Sequence, residues 1–355
     1  MNIAAYRSGW LLLLPSIAVL TGACNYTTPA ASQAASATPF TEVDSLTTSA
    51  EDLAEMARLA QTPRKLTSTL LAEVPEILPT INVDEMMLQA MYEHANYLRR
   101  PDAKKANLRG LNRLELLETV ERLRAKPKLT PEDLASSFDF YRLNTDLRND
   151  QVRMTGYYTP VVKASRTKSG EFQYPLYRRP SEQVPAPSAI WDGALAGRGL
   201  ELAWVSSKRA VENAQLQGSV LVEFADGKRE YLGFGGSVKG AGGSYVFFTK
   251  VDNTVLGAGT FPLTAGYSIA IDTRFIPIGA TLLAELPDLD PSGKLKGYTY
   301  RVLFAQDRGG AIKTTKRIDV YCGMGQDALA EAHKINGHGR LWLMLPKQDG
   351  TLVVQ

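Results

Sequence analysis

Two carboxylates, Asp307 and Asp319, stand in runs that otherwise read as buried β-structure. Arg301 to Asp307 (RVLFAQD) leads apolar residues to a carboxylate where glycines begin, and Arg317 to Tyr321 (RIDVY) sets Asp319 between Ile318 and Val320. Strands are depleted of Asp, so each of these positions needs a reason. A carboxyl held among apolar neighbours is a candidate for acid and base chemistry, because its surroundings tune its proton affinity. The plainer alternatives are that Asp307 caps the turn at Gly309-Gly310 and that Asp319 is a solvated residue on an outer face.

Other chemistries find little support. The three histidines, His94, His333 and His338, together with one cysteine, Cys322, make no metal-binding pattern. No Gly-x-Ser-x-Gly elbow or P-loop lysine is present, and the glycine-rich Gly233 to Gly243 reads as a connecting loop. Cys322 has no basic partner nearby in sequence and reads as a small buried hydrophobe. With 40 Lys and Arg against 37 Asp and Glu, the chain has no basic stripe suited to nucleic acid.

The N-terminus speaks to location. Arg7 supplies a positive region, Trp10 to Leu20 is apolar, and Thr21-Gly22-Ala23-Cys24 closes the run with small residues. This is the pattern of a secretory signal, and its apolar run is about half the roughly 20 residues that span a bilayer. The site resembles a bacterial lipoprotein cleavage site in which Cys24 becomes the acylated first residue, although Thr21 replaces the usual Leu; an ordinary signal peptide cut nearby is the alternative. Asn25 after the cysteine, by resemblance to enterobacterial lipoproteins, points to the outer membrane. If Cys24 is acylated, Cys322 has no intramolecular disulfide partner, and the fold must be held by its core.

Composition organises the rest. Residues from Asn25 to about Ala50 are rich in Ser, Thr, Ala and Pro and read as a flexible tether. From there to Asn149 the pattern is helical, with LLAEVPEIL broken by proline, a helix-permissive Val83 to Arg99, LNRLELLETVERLR at helical spacing and a helix start at Thr130-Pro131. After Val152 short β-rich runs follow one another, SVLVEF, SYVFF, YSIAID, ATLLAEL and YRVLFAQ, with one late helix at Gln326 to Lys334. The expected class is α+β.

From Arg153 to Pro346 the sequence resembles the lytic murein transglycosylase A family, whose C-terminal double-psi β-barrel module bears three aspartates. The resemblance rests on Thr155-Gly156-Tyr157-Tyr158-Thr159-Pro160, Phe172 to Tyr177, Gln217-Gly218-Ser219, Ser244 to Phe248, and a closing strand containing Trp342. The three aspartates fall at Asp272 before Ile276-Pro277-Ile278-Gly279, Asp307 before Gly309-Gly310-Ala311-Ile312-Lys313, and Asp319. One departure is the short glycine-rich link from Gly236 to Ser244, where family members usually carry a longer segment of the second domain.

The resemblance implies a double-psi β-barrel domain packed with N-terminal helices, plus a smaller inserted β domain. The expected division is a signal peptide at 1–23, a tether at 24–50, a helical part of domain 1 at 51–160, a shortened inserted β domain forming a groove wall at 161–244, and the catalytic barrel at 245–355. The implied reaction cleaves the β-1,4 bond between N-acetylmuramic acid and N-acetylglucosamine in peptidoglycan without water, giving 1,6-anhydromuramyl products. Asp319 would protonate the glycosidic oxygen and then take the proton from the muramyl C6 hydroxyl; Asp307 would orient or tune the site, or merely hold a turn. Tyr157, Tyr158 and Gln217 are expected in the sugar groove, with core packing and a turn as their alternatives, and Asp272 is a weaker substrate-binding candidate. No cofactor or metal is implied. The expected partners are peptidoglycan glycan strands, a membrane through the Cys24 lipid, and cell-wall machinery, at the periplasmic face of the outer membrane. A non-catalytic peptidoglycan-binding lipoprotein is the alternative.

Overall fold

The computed structural model describes residues 50–62, 64, 66–104, 108–144, 151–252, 254–290 and 292–348. The expected signal peptide, Cys24 and nearly all of the tether lie outside them. The first half contains α1 (Ala50–Ala60), β1 (Leu70–Ala72), β2 (Ile81–Asn82), α2 (Glu85–Arg99), α3 (Pro101–Lys104), α4 (Arg113–Arg124), β3 (Lys128–Leu129), α5 (Pro131–Ser137) and β4 (Phe138–Leu143). Next come β5 (Val152–Thr159), β6 (Val161–Ser165), β7 (Tyr174–Tyr177), α6 (Pro187–Trp191), β8 (Glu201–Val205), α7 (Lys208–Gln217), β9 (Val220–Phe224), β10 (Arg229–Gly240) and β11 (Gly243–Val251). The chain continues through β12 (Ser268–Ile271), β13 (Thr281–Leu289), β14 (Leu295–Arg308), β15 (Arg317–Met324), α8 (Gly325–Lys334), β16 (Asn336–Gly339) and β17 (Leu341–Pro346).

The helices form where the sequence supplies both a cap and a periodic apolar face. At α2, Asp84 accepts a hydrogen bond from the Met87 amide at 2.7 Å, and Met87, Ala90, Met91, His94, Ala95 and Leu98 line the buried side. The helix ends because Pro101 holds Arg100 extended, with ψ at 149°. At α5, Thr130 and Asp133 form a reciprocal capping box behind Pro131.

Nine strands form one mixed sheet in the order β1-β4-β17-β13-β14-β12-β15-β5-β16. The fold is α+β, a barrel-like sheet with helices and an inserted domain, as expected. Its core joins Trp342, Phe304, Leu282 and Leu303 of the strands to Met91, Leu98, Leu116 and Leu123 of α2 and α4. A second sheet, β11-β10-β9-β6-β8-β7, has apolar clusters of its own, one around Val211, Val222 and Phe248 and one around Tyr245, Phe247 and Leu195. Only Pro160 separates β5 of the first sheet from β6 of the second. On β5, Gly156 packs against α8 so closely that a β-carbon there would overlap the Ala332 backbone.

Three expectations change. LLAEVPEIL supplies strand β1 rather than a helix, pairing Leu70 with Leu143; Pro75 and Pro79 stop a helix from extending, and an edge strand tolerates them nearby. Phe138–Leu143, inside the region read as helical, is a central strand with buried Phe138, Phe140 and Leu143. The glycine-rich Gly233 to Gly243 is no loose link but the tip of the β10–β11 hairpin, with a register shift between Phe234 and Gly236. The second sheet therefore runs past residue 244 to Val251.

His94 lies fully buried on α2, with Nε2–H donating to the Gly279 carbonyl at 2.8 Å and its ring tilted against Phe304. Burial pushes its imidazole down to about 4. The unfolded chain protonates this group near 6.5 while the folded chain does not, so its stabilising effect is complete above that value and is lost as pH falls toward 4. The loss amounts to roughly 3 kcal/mol. Denaturant unfolding of His94→Gln between pH 7 and 4 is expected to show a clearly shallower acid dependence than the parent chain.

Candidate active site

The carboxylates meet because of a register fault. β12 lies between β14 and β15, and its Ala270 pairs with Asp307 on one side and Asp319 on the other. On the β14 side the pairing steps from Ile269–Ala305 directly to Ala270–Asp307, skipping Gln306. Directly paired residues project to one face of a sheet, so this bulge brings Asp307 to the face that Asp319 occupies. Without it, Gln306 would take that place. Gln306 instead is buried, accepting from the Ser268 hydroxyl and donating to the Ala90 carbonyl at 3.2 Å. Two strand spacings put the Asp307 and Asp319 Cα atoms about 10 Å apart, with only the small Ala270 side chain between them.

β5 completes the site from the other side of β15, running parallel to it with Thr155 opposite Asp319 and Tyr157 opposite Tyr321. The Thr155 hydroxyl donates to Asp319 Oδ1, while Arg317 donates from Nε to Oδ1 at 2.7 Å and from Nη2 to Oδ2 at 3.0 Å. Arg317 stands two residues before Asp319 on the same strand, hence on the same face. The Tyr157 hydroxyl donates to Asp307 Oδ2 at 2.9 Å, and the amides of Ala258 and Arg308 donate to Oδ1 at 2.9 and 2.8 Å. Both Asp307 oxygens are thus fixed.

Burial pushes the Asp307 carboxyl above its ordinary range, opposed by the Arg308 amide, the Tyr157 hydroxyl and the Ala258 amide. Tyr157 is pushed well above the usual phenol value by burial first and then by Asp307, with Tyr321 and Asp319 adding to the effect. Its ring lies 5.3 Å from that of Tyr321, whose own hydroxyl, raised to about 12 chiefly by burial, is bonded with Thr159. Asp307, Asp319 and Tyr157 therefore form one electrostatic group.

The other expected site residues bond to other partners. Tyr158 is buried at 8% exposure and accepts from Asn213 at 2.9 Å, and Gln217 receives the Tyr158 amide at 3.1 Å, so the pair braces β5 against α7. Asp272 ends β12 in an ion pair with Arg274, whose hydrogen bonds hold that carboxyl below the usual range. Cys322 is half-buried, its thiol pushed up to about 11 by burial, which suits a small hydrophobe better than a nucleophile. Among the described residues no cluster of His, Cys, Asp and Glu suits a metal ion. Sequence reading did not single out Thr155, Arg317, Tyr321 or the Ala258 amide. Arg317 was accessible through strand alternation from Asp319, whereas Ala258 reaches Asp307 only by tertiary folding.

Two family models match: the 3D domain over residues 267–345, which contains all three aspartates, and the MltA specific insert domain over residues 153–188. The class is thus a 3D-domain protein bearing an MltA-type insert. Membrane-bound lytic murein transglycosylase A of Escherichia coli (strain K12) is 34% identical over 240 residues, which cover 54% of this chain and 65% of that protein. A homolog from Buchnera aphidicola is 30% identical over 244 residues, again 54% of this chain and 66% of its own length. The crystal structure of E. coli MltA with bound chitohexaose superposes with a TM-score of 0.66 at 28% identity, covering 79% of this chain and 96% of that one. A lytic murein transglycosylase from Agrobacterium tumefaciens, at 20% identity and a TM-score of 0.61, shares the fold. The chain is thus similar to MltA proteins in both sequence and fold, and spans just under two thirds of the length of the curated relatives it matches.

Removing one donor tests the coupling of Tyr157 to Asp307. Tyr157→Phe keeps the ring against Tyr321 but deletes a bond that favours the carboxylate, so carboxyl-carbon NMR titration is expected to show the Asp307 pKa rising further. An unchanged titration would contradict the coupling.

Proposed function

We propose that the protein is a peptidoglycan lytic transglycosylase that cleaves the bond between N-acetylmuramic acid and N-acetylglucosamine without water. The observation that carries this reading is the convergence of Asp307, Asp319 and Tyr157 on one face of a fold shared with a chitohexaose-bound relative. Hydrolytic glycosidases generally divide the chemistry between two carboxyl groups. Here the two differ in freedom. Asp307 receives two backbone amides as well as the Tyr157 hydroxyl and acts as the positioning carboxylate, whereas Asp319 is held by side chains, the Thr155 hydroxyl and Arg317, whose side chain is 38% exposed.

Arg317 is the more exposed partner of the pair, 38% against 15% for Asp319, so it can swing toward solvent while an entering sugar takes its place at the carboxyl. Freed of Arg317, Asp319 takes up a proton from solvent and delivers it to the glycosidic oxygen as the C1–O bond breaks, and the resulting carboxylate takes the proton from the C6 hydroxyl as that oxygen closes on C1, which restores the protonated carboxyl. Tyr157 contributes an aromatic face to the groove, and the second sheet forms its far wall. Tyr158 and Gln217 brace that wall, and Asp272 closes the strand end. Lipidation at Cys24 would tether the enzyme to the periplasmic face of the outer membrane, where glycan strands are its substrate and cell-wall machinery its candidate partner. No helix among the described residues is long and apolar enough to cross a membrane.

The mature chain incubated with murein sacculi is expected to release 1,6-anhydromuropeptides, identified by mass spectrometry. Asp319→Asn is expected to lower that release about 10²–10⁴-fold, with circular dichroism and unfolding midpoint unchanged. Sacculus binding with no anhydro product from the parent chain would leave a binding lipoprotein as the reading, and full activity in the Asn variant would move the proton-transfer role elsewhere.

A further inference from the structure

The loop from residue 255 to 263 reaches the site with a single group, the Ala258 amide, and its backbone is under strain. Thr260 sits at φ 57°, a left-handed conformation that a β-branched residue rarely adopts. Gly257 is pressed against the Gln306 carbonyl, where a β-carbon would overlap it, and the loop closes through Gly257 N–H to the Phe261 carbonyl at 3.0 Å and Leu263 N–H to the Val255 carbonyl at 3.1 Å. Strain of this kind persists only when the surroundings over-determine the conformation.

Arg100 supplies much of that restraint. Pro101 turns Arg100 out of α2 into an extended conformation. Its Nη1 donates to the Gly259 carbonyl and its Nη2 to the Thr260 hydroxyl, both at 2.9 Å. The guanidinium also lies 5.7 Å from the ring centre of Tyr97, which packs 5.2 Å from Phe261. Three Arg100 hydrogen bonds, the third from Nη1 to the Thr260 carbonyl at 3.4 Å, and the Tyr97–Phe261 ring contact thus hold the strained turn, which presents Ala258 N–H to Asp307.

We infer that Arg100 is a positioning residue, which locks the 255–263 loop in its strained form so that the Ala258 amide fixes Asp307 for the reaction. This role rests on the proposed transglycosylase activity, but the latch itself can be read without turnover. In the full mature chain, Arg100→Ala is expected to speed hydrogen exchange over the 255–263 peptide about tenfold, the loss of charge-assisted hydrogen bonds, while peptides of the barrel strands stay protected. Thr260→Gly relieves the left-handed strain and removes the hydroxyl that Arg100 Nη2 bonds, but leaves the Arg100 bonds to the Gly259 and Thr260 carbonyls. It is expected to speed the same exchange with an unfolding midpoint no lower than the parent's, because the strain goes with it. A purely structural contact would lower stability and protection together.

On murein sacculi, Arg100→Ala is expected to reduce kcat about tenfold with KM within about twofold, and Arg100→Lys to restore part of the loss. A parent chain with no anhydro product removes the proposed function and leaves the exchange measurements to decide the latch. Should Arg100→Ala fail to fold, Thr260→Gly carries the exchange test alone. Unchanged exchange in a folded variant, or faster exchange with kcat untouched in an active enzyme, overturns the inference.

Discussion

One extra residue in β14 governs the site. Because Gln306 bulges out of the pairing with β12, Ala270 meets Asp307, and the same alanine meets Asp319 on its other edge. Gln306 is not wasted, since its amide links the strand to α2 through the Ala90 carbonyl and so fixes the bulge from within the core. A buried amide without such partners would carry a desolvation cost of about 1–3 kcal/mol. The polar satisfaction of the core and the placement of the carboxylates are therefore one requirement.

Around that register the site sorts its charges by mobility. Asp307 is held by two backbone amides and a phenol and pays for burial with a raised proton affinity. Asp319 has a guanidinium and a hydroxyl, both on side chains that rotate. Groups with equal chemistry thereby sit in unequal settings, one fixed by main-chain donors and one by side chains alone.

Much of this could be read from the residues themselves. The capping box at Thr130, the helical spacing from Leu114 to Leu123 and the apolar strands from Ser268 onward carry local signals, and local signals survive folding. Asp307 and Asp319 announced themselves by being the wrong residue type for a strand. What stayed hidden was pairing. Nothing in SYVFF and YLGFGGSVKG says that they form one hairpin across Gly240 and Gly243, and the proline in LLAEVPEIL masks a strand that exists only because β4 offers it an edge. Tyr158 and Gln217 look alike in sequence to groove residues, yet their bonds run to Asn213 and to the backbone of β5. Whether a polar group faces a neighbour or a ligand is settled by distance in space, which spacing along the chain does not encode.

Gly156 lies against Ala332 without room for a single methyl group. Its neighbours in β5 are Thr155, which touches Asp319, and Tyr157, which touches Asp307. Any substitution there must lift α8 or displace β5, and either movement reaches both carboxylates at once. In evolutionary terms the position is nearly closed to drift, because a lineage can leave this glycine only by rebuilding the helix and the strand in the same step.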